Sequence, residues 1–483
     1  MFLFTLRPLL AILAIMTSIW VLEAARSDVV VARIESGDTP VMSFTRPVAD
    51  GPVVVIAHGF AGSSQMMQGY ALPLARAGYR VFAFDFLGHG RHSLPMSGDV
   101  TSIDGTTRLL INQTHSVIEG VSTGTQDVAL LGHSMATDVL VRVAAERSDV
   151  GPVVLLSAFS KAIDPSTPDE LLLIVGDWEP QLRDFALETA RMVDPDAEAG
   201  QTVSNGQTTR RAFVVPRIEH VSILQSSVGR QEALLWLDRF YGRSSEIGIK
   251  PTGPAIVALF AGLVVLLSSL AARLPSQDVL PIRLLWRRLA LITFLPMVAA
   301  PILAVSLDPG LMPVLVADYL ALHLAIYGGL QLALLLAWRV PFGAFSPAAF
   351  FYLLFGCAVF GLALDRYAAN FWPTDNRLWI TGVLALGAVP FFVCDARLGH
   401  RTSRVLRLLS HAAFLVSLAI AVALDFEGLF FVLMIAPVIV LFYIAFGTMG
   451  HAVSTRSGPL APGLALGLLL AWSLGVSFPL FQG

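Results

Sequence analysis

Eight long apolar stretches fill most of the second half of this 483-residue chain, at about 254–272, 289–306, 314–338, 346–364, 378–394, 409–424, 429–447 and 461–480. Each is long enough to cross about 30 Å of hydrocarbon as a helix. A helix satisfies every backbone N–H and C=O within the segment, which lipid demands and irregular chain cannot meet. Residues 250–483 are therefore expected to form an all-α multi-span transmembrane domain of about eight helices. Charged residues make up only 14% of the chain, against roughly a quarter in soluble proteins.

A further apolar segment opens the chain, from Phe2 to Leu22, interrupted by Arg7. Arg7 can snorkel to the interface and let the span begin early. The exit, Leu22-Glu23-Ala24-Ala25-Arg26, lacks small residues at both positions of a cleavage site, so residues 1–25 read as an uncleaved anchor. Loop charges then set an expected orientation. If the N-terminus is cytoplasmic, the cytoplasmic loops hold Arg273, Arg283, Arg287, Arg288, Arg339, Arg397, Arg401, Arg404, Arg407 and Arg456. The opposite loops hold Arg366 and Arg377 beside Asp308, Asp365, Asp375, Asp425 and Glu427. Positive charge favours the inside, so residues 26–246 are expected outside the cytoplasm, on the inner or plasma membrane if the cell is bacterial. A net charge of −3 gives no sign of a nucleic-acid partner. The two cysteines, Cys357 and Cys394, fall in or at the end of apolar segments and supply neither a disulfide framework nor a metal cluster.

Residues 26–246 have the composition of an ordinary soluble domain. Residues 28–45 alternate apolar and polar about a Gly37-Asp38 turn, which predicts an antiparallel strand pair. Val53–Ala57, Arg80–Phe84, 127–131, Val153–Ser157, Leu171–Val175 and Arg211–Val215 predict strands, the first of them apolar throughout as buried parallel strands are. Helical patterns at 66–77, 104–120, after Ser134, at 181–192 and at 226–240 separate them, with a polar loop at 194–209. The alternation predicts an α/β domain with a mostly parallel sheet.

The most suggestive short stretch is Gly132-His133-Ser134-Met135-Ala136, between an apolar strand and a helix. A serine at a sharp strand-to-helix turn needs small neighbours two residues to either side. Its hydroxyl needs a base, and the base needs a third group to orient it. The chain supplies Ser134, then a carboxylate at 177–179 after a strand, then His220 after the last strand. That is the serine, acid, histidine order of one fold in particular. With His58-Gly59, Asp85…Gly88-His89-Gly90 and Gly176…Glu179-Pro180 also at strand ends, residues 26–246 resemble an α/β-hydrolase of the esterase, lipase and dienelactone-hydrolase type.

The resemblance implies Ser134 as nucleophile, His220 as base, and the backbone N–H groups of Phe60 and Met135 as the oxyanion hole. The acid falls on Glu179, three residues after Gly176, with Asp177 as the alternative. Ala136 replaces the glycine more usual in the family. His58, His89 and His133 take structural positions. No metal or cofactor is implied. The expected activity is cleavage of acyl esters, with lipid-like substrates in view because the tethers to the apolar segments are short. Only Ala158–Glu170 separates two strands where relatives often insert a lid, so the membrane domain or the bilayer is expected to cover the site. The competing expectations are a transporter or receptor with a hydrolase-like ligand-binding domain, and a peptidase or acyltransferase using the same serine. Asp318, with Tyr319 and His323, is the candidate for a transport role. The glycines between Gly463 and Gly475 read as helix-packing positions. Asn112-Gln113-Thr114 fits a glycosylation sequon by chance more readily than by design.

Overall fold

The computed structural model describes residues 2–48, 50–99, 103–122, 126–307, 310–314 and 316–482. Helix α1 (Phe2–Arg26) leads into a sheet domain of nine strands: β1 (Val30–Ser36), β2 (Thr39–Thr45), β3 (Val53–Ala57), β4 (Arg80–Phe84), β5 (Val128–His133), β6 (Val150–Leu156), β7 (Glu170–Gly176), β8 (Thr202–Asn205) and β9 (Thr208–Val215). Their order across the sheet is β1-β2-β4-β3-β5-β6-β7-β9-β8. The strands from β4 to β9 in that order run parallel, and β1, β2 and β8 pair antiparallel at the two edges.

Both faces of the sheet are covered, which is why its central strands are apolar without alternation. Helices α2 (Gln68–Arg76) and α6 (Ser227–Phe240) pack Tyr70, Leu74, Leu234 and Leu237 on one face. On the other, α3 (Arg108–Val121), α4 (Met135–Glu146) and α5 (Pro180–Arg191) bury Ile111, Leu140 and Ala190. The sheet reverses direction of winding at β3, with β4 on one side and β5 on the other, and open α/β sheets hold their sites at such a point.

Within the sheet domain one expectation changes, and the reading of the sequon as a chance match gains support. Residues 194–209 are not one polar loop, because β8 forms a hairpin with β9 in which Asn205 pairs with Thr208 and Gly206 takes φ +62°. The four-residue β8 is too short and polar for an alternation signal, and the Asn205-Gly206 pair was its one readable mark. The sequon residues lie in α3, where Thr114 is fully buried and its hydroxyl donates to the Leu110 carbonyl.

The helical half comprises α7 (Thr252–Leu270), α8 (Trp286–Leu307), α9 (Ala317–Ala337), α10 (Pro347–Tyr367), α11 (Asp375–Gly399), α12 (Arg404–Leu424), α13 (Phe426–Phe442), α14 (Thr448–Ser457) and α15 (Leu460–Ser477). Among the described residues, nine helices are long and apolar enough to cross a membrane, α1 included. The stretch expected at 429–447 is longer than its apolar run: α13 passes through a wide turn at Tyr443–Gly447 into α14, 32 residues in all. Helix α11 lies at the centre, against α9 and α15. A Cβ on Gly463 or Gly467 would lie 2.6 or 2.5 Å from the backbone of Val393 or Val389, so these glycines let α15 close onto α11.

Polar groups within the bundle are held in place. The Asp318 carboxylate accepts the Met312 N–H at 2.6 Å, tying down the segment before α9. His323 is enclosed between Tyr319 Oη (2.5 Å) and Ser417 Oγ (3.1 Å). Asp308 lies outside the described residues. Arg377, expected in a solvent loop, is instead fully buried in the first turn of α11, where it donates to the carbonyls of Gly88 (2.6 Å), Gly475 (3.3 Å) and Phe478. A chain turn that packs under another domain needs a partner for each bare carbonyl, and the guanidinium supplies several donors at once.

Arg377 marks the seam between the two halves. Asp365, at the end of α10, pairs with both Arg33 and Arg91 at 2.9 Å. The Asn370 backbone N–H donates to Ser63 Oγ (3.2 Å), and its amide donates to the Gly90 carbonyl (3.3 Å). The C-terminal segment adds a short bridge to the sheet domain: Leu480 donates to Gly88, Met96 to Leu480, and Gln482 to Met96. The Phe481 side chain joins the sheet domain's core. All these contacts fall at or beyond the carboxyl ends of β3 and β4. The helix ends at the other side of the bundle carry Arg273, Arg287, Arg288, Arg339, Arg401, Arg404 and Arg456.

Candidate active site

Ser134 sits between β5 and α4 with φ 53° and ψ −119°. A non-glycine residue in that region carries about 1–3 kcal/mol of strain and stays there only if its surroundings dictate it. They do. The Ser134 N–H donates to the Leu156 carbonyl at 3.0 Å, and its carbonyl accepts from Thr137 N and Oγ1. At Gly132 a Cβ would come 2.6 Å from Leu140 Cδ1 and 3.3 Å from the Ala136 Cβ. At Gly59 it would lie 3.0 Å from the Ser134 Cβ. Small residues thus let β5, α4 and the end of β3 converge on one hydroxyl. Ala136 is fully buried with its methyl accommodated.

The hydroxyl faces a base. His220, in the loop between β9 and α6, places Nε2 2.8 Å from Ser134 Oγ and Nδ1 2.6 Å from Glu179 Oε1. With Nδ1–H directed at the carboxylate, Nε2 is the acceptor for the serine proton. Of the two carboxylates left open by the sequence, Glu179 is the one that meets the imidazole. Asp177 is exposed and lies 3.9 Å from Arg183.

Glu179 is itself well supported. Its second oxygen accepts from Ser157 Oγ at 2.7 Å and from the Gly176 N–H at 2.9 Å. Burial pushes its pKa up, but the hydrogen bonds from His220, Ser157 and Gly176 outweigh it and hold the carboxyl below its ordinary value. Ser157 had not been singled out in the sequence. Its signal is position alone: it directly follows β6, the strand between those leading to Ser134 and Glu179.

His133 has a supporting part too. Its Nε2 lies 2.8 Å from the His220 carbonyl, so it donates there and fixes the loop that carries the base. Burial, with His220 nearby, pulls its pKa down to about 4, and the ring is neutral. His58 faces the Gly59 carbonyl through Nδ1 (2.8 Å) and accepts the Phe86 N–H at Nε2 (3.1 Å), linking the ends of β3 and β4. His89 Nδ1 lies 2.9 Å from the Leu87 carbonyl. All three histidines therefore hold loops, as their positions suggested.

Met135 is the first residue of α4, and a helix's first N–H groups have no carbonyl one turn back to bond. Phe60 follows Gly59 in the turn closed by Gly62 N–H to Gly59 C=O at 3.0 Å. Met135 follows Ser134 in its own turn, and Phe60 follows Gly59, where a Cβ would lie 3.0 Å from the Ser134 Cβ. The Phe60 ring is 5.0 Å from the Phe431 ring of α13, so a helix of the apolar bundle reaches the edge of the site. Sequence reasoning did not reach Phe431, because no local pattern records which span lies beside which loop. Among the described residues, no group of three or more His, Cys, Asp or Glu side chains is arranged to hold a metal ion.

Comparison with known proteins bears on the sheet domain. Residues 50–211 match the family model described as serine aminopeptidase, S33. No curated protein matches the chain. Similar solved structures include a CIB-like hydrolase from Thermoplasma acidophilum (16% identity, 44% of this chain and 97% of that one, TM-score 0.34). Others are a dienelactone hydrolase from Anabaena variabilis (17%, 44% and 97%, 0.33) and a bacterial membrane phospholipase A (14%, 48% and 93%, 0.36). The sheet order, the serine turn between β5 and α4 and the family match over residues 50–211 agree on an α/β-hydrolase fold for the sheet domain, which is joined to a bundle of long apolar helices.

Proposed function

We propose that the protein is a membrane-bound serine hydrolase that cleaves carboxylic esters of acyl chains, with Ser134, His220 and Glu179 as its triad. The observation that carries this reading is the unbroken hydrogen-bond path from Ser134 Oγ through His220 to Glu179, with distances of 2.8 and 2.6 Å. In the first step Ser134 Oγ bonds to the ester carbonyl carbon while its proton passes to His220 Nε2. The resulting oxyanion is stabilised by the N–H groups of Phe60 and Met135. The carbon–oxygen bond to the alcohol breaks, and His220 returns the proton to the departing alkoxide. Water then repeats the sequence on the acyl-enzyme, releasing the acid and restoring Ser134. Glu179 keeps the imidazole in the right tautomer and offsets its charge as it becomes imidazolium. The chemistry requires no cofactor.

Two further observations favour an acyl ester. Exposed apolar side chains stand beside the reacting groups: Phe159, Trp178 next to Glu179, and Val221 next to His220. The family model's description raises aminopeptidase action, which needs a carboxylate free to hold an α-ammonium group. Glu219, beside His220, is already spent on the N–H groups of Val221 and Ser222 at 2.8 and 2.7 Å. The arginine-rich helix ends lie opposite the sheet domain, and by the positive-inside rule this favours a sheet domain outside the cytoplasm. A ligand-binding domain of a transporter has no need of a strained serine bonded to an oriented histidine.

A fluorophosphonate probe applied to the full-length protein in membranes is the test. Labelling of the wild type that disappears in Ser134→Ala supports the reading. Correctly inserted wild-type protein that takes no label overturns it.

A further inference from the structure

The sheet domain lacks an inserted lid, and its site is bounded from the bundle side by α13. The Phe60 ring packs at 5.0 Å against Phe431, and Phe60 follows Gly59, where a Cβ would lie 3.0 Å from the Ser134 Cβ. Phe430, next along α13, is 45% exposed on the outside of the bundle. Phe60 and Phe431 thus form a continuous apolar surface from the reacting atoms to the lipid-facing side of a spanning helix. Phe159, whose backbone bonds Thr137 of the serine turn, and Trp178 and Val221, the chain neighbours of Glu179 and His220, are 54%, 64% and 54% exposed, so apolar surface stands bare near these residues. A soluble substrate gains nothing from leaving such surface bare. Three large apolar side chains around one active site have a physical use if that surface dips into hydrocarbon or meets a chain drawn from it.

The seam explains why the geometry holds. Ser63, three residues beyond Phe60, accepts from the Asn370 N–H, and Arg91 pairs with Asp365, whose neighbour Arg366 pairs with Glu23 of α1 at 2.7 Å. The loop that carries Phe60 is therefore fastened to the ends of α10 and α1 as well as touching α13. It cannot swing away as a mobile lid does without breaking these bonds.

We propose that α13 supplies the acyl-chain site: a bilayer lipid ester from the leaflet on the hydrolase side enters sideways, with its acyl chain along Phe60, Phe431 and Phe430 and its carbonyl at Ser134. This rests on the serine-hydrolase reading above. His220 returns the proton to the leaving alcohol, which carries the headgroup and any remaining chain, and both this alcohol and the cleaved acid return to the same leaflet. Chain length is then read by α13, in the apolar bundle, while bond cleavage belongs to the sheet domain. A chain already in hydrocarbon gains no transfer free energy here, so discrimination by length comes from packing of its methylenes against α13.

The experiment uses the full-length protein in phosphatidylglycerol vesicles with a series of 1,2-diacylglycerol substrates of increasing chain length. Phe431→Ala is expected to lower kcat/KM for sixteen-carbon chains at least tenfold relative to four-carbon chains. Phe430→Ser, at a position 45% exposed, is expected to move the ratio the same way by about threefold. An unchanged ratio in both variants overturns the inference, and so does an equal fall on all chain lengths, which would make Phe431 a support for the Phe60 loop only. Fluorophosphonate labelling separates the two levels. Label on wild-type Ser134 with an unchanged ratio in the variants sinks the α13 site alone. No label on the wild type sinks the hydrolase reading beneath it.

Discussion

The two halves of this protein use polar groups in opposite ways. In the sheet domain, polar side chains gather at the carboxyl ends of β3, β5, β7 and β9 and point at one another, giving Ser134, His220 and Glu179 a single directed path. In the bundle, the interior is held by shape, as where Gly463 and Gly467 admit the backbone of α11. Its polar residues Asp365, Asn370 and Arg377 gather instead at the end that meets the sheet domain. Directed bonds locate chemistry, and close packing locates a scaffold. The seam has both, so the bundle and the sheet domain are joined by directed bonds as well as by packing.

The contrast is broken or sharpened most strongly at the acid. Glu179→Gln keeps size but cannot hold the charged imidazole, and kcat/KM is expected to fall by about 10³–10⁴-fold. Asp177→Asn, on the exposed side of the same turn, should leave it within about twofold. Equal losses in a steady-state ester assay would erase the distinction drawn between the two carboxylates.

Arg377→Met tests the seam. It removes the donor to the carbonyls of Gly475 and Phe478 and one of two donors to Gly88, which keeps the Leu480 N–H, at about 1–3 kcal/mol for each group left bare. The expected outcome is a lower temperature of irreversible activity loss in detergent, with the labelling rate of Ser134 at 25 °C changed much less. If heat inactivation does not shift, the two halves are not coupled through α11.

His133 predicts a pH effect confined to the sheet domain. Its folded pKa, about 4, lies below the ordinary value of roughly 6.5, because burial favours the neutral ring. Above pH 6.5 its contribution is fully present. As pH falls from 6.5 to 4 the unfolded chain takes up a proton that the folded one refuses, and stability drops by up to about 3 kcal/mol. Glu179, depressed below the usual carboxylate value, adds a loss at still lower pH as it protonates. In His133→Gln the upper part of this loss should vanish from a plot of unfolding temperature against pH, and a plot that keeps it would assign the loss to another group.

The smallest effect is expected within the bundle. Gly467→Val forces a side chain into the 2.5 Å approach to Val389 and should cost about 1–3 kcal/mol of overpacking. Its signature is weaker insertion or lower detergent stability at an unchanged kcat for protein that does fold, seen by size-exclusion chromatography alongside activity.

Much of this molecule was legible before any coordinates. The β3 apolar run at Val53–Ala57 was readable to the residue because a strand covered on both faces has no reason to interrupt its apolar sequence. Ser134 and His220 were readable because the fold fixes their order along the chain. The hairpin strand β8 was missed, since four mostly polar residues at an edge carry too little pattern. Arg377 was misplaced because charge alone sends a residue to solvent, and only the packed carbonyls around it reverse that. The choice of Glu179 over Asp177 needed three dimensions: both carboxylates follow the same strand, and the turn's geometry decides which one faces inward.

The sequence by itself determined the two-part architecture, the alternating sheet domain and the serine turn, since periodicity, length and small-residue spacing are local properties of a chain. Only the tertiary structure decided that Ser157 and His133 support the acid and the base, and that α10, α11 and α13 close around the loops beside Ser134. Those contacts join residues hundreds of positions apart, from Phe60 to Phe431 and from Gly88 to Arg377. Their energy comes from packing and hydrogen bonds formed after the helices associate, and no local stretch of sequence carries a record of them.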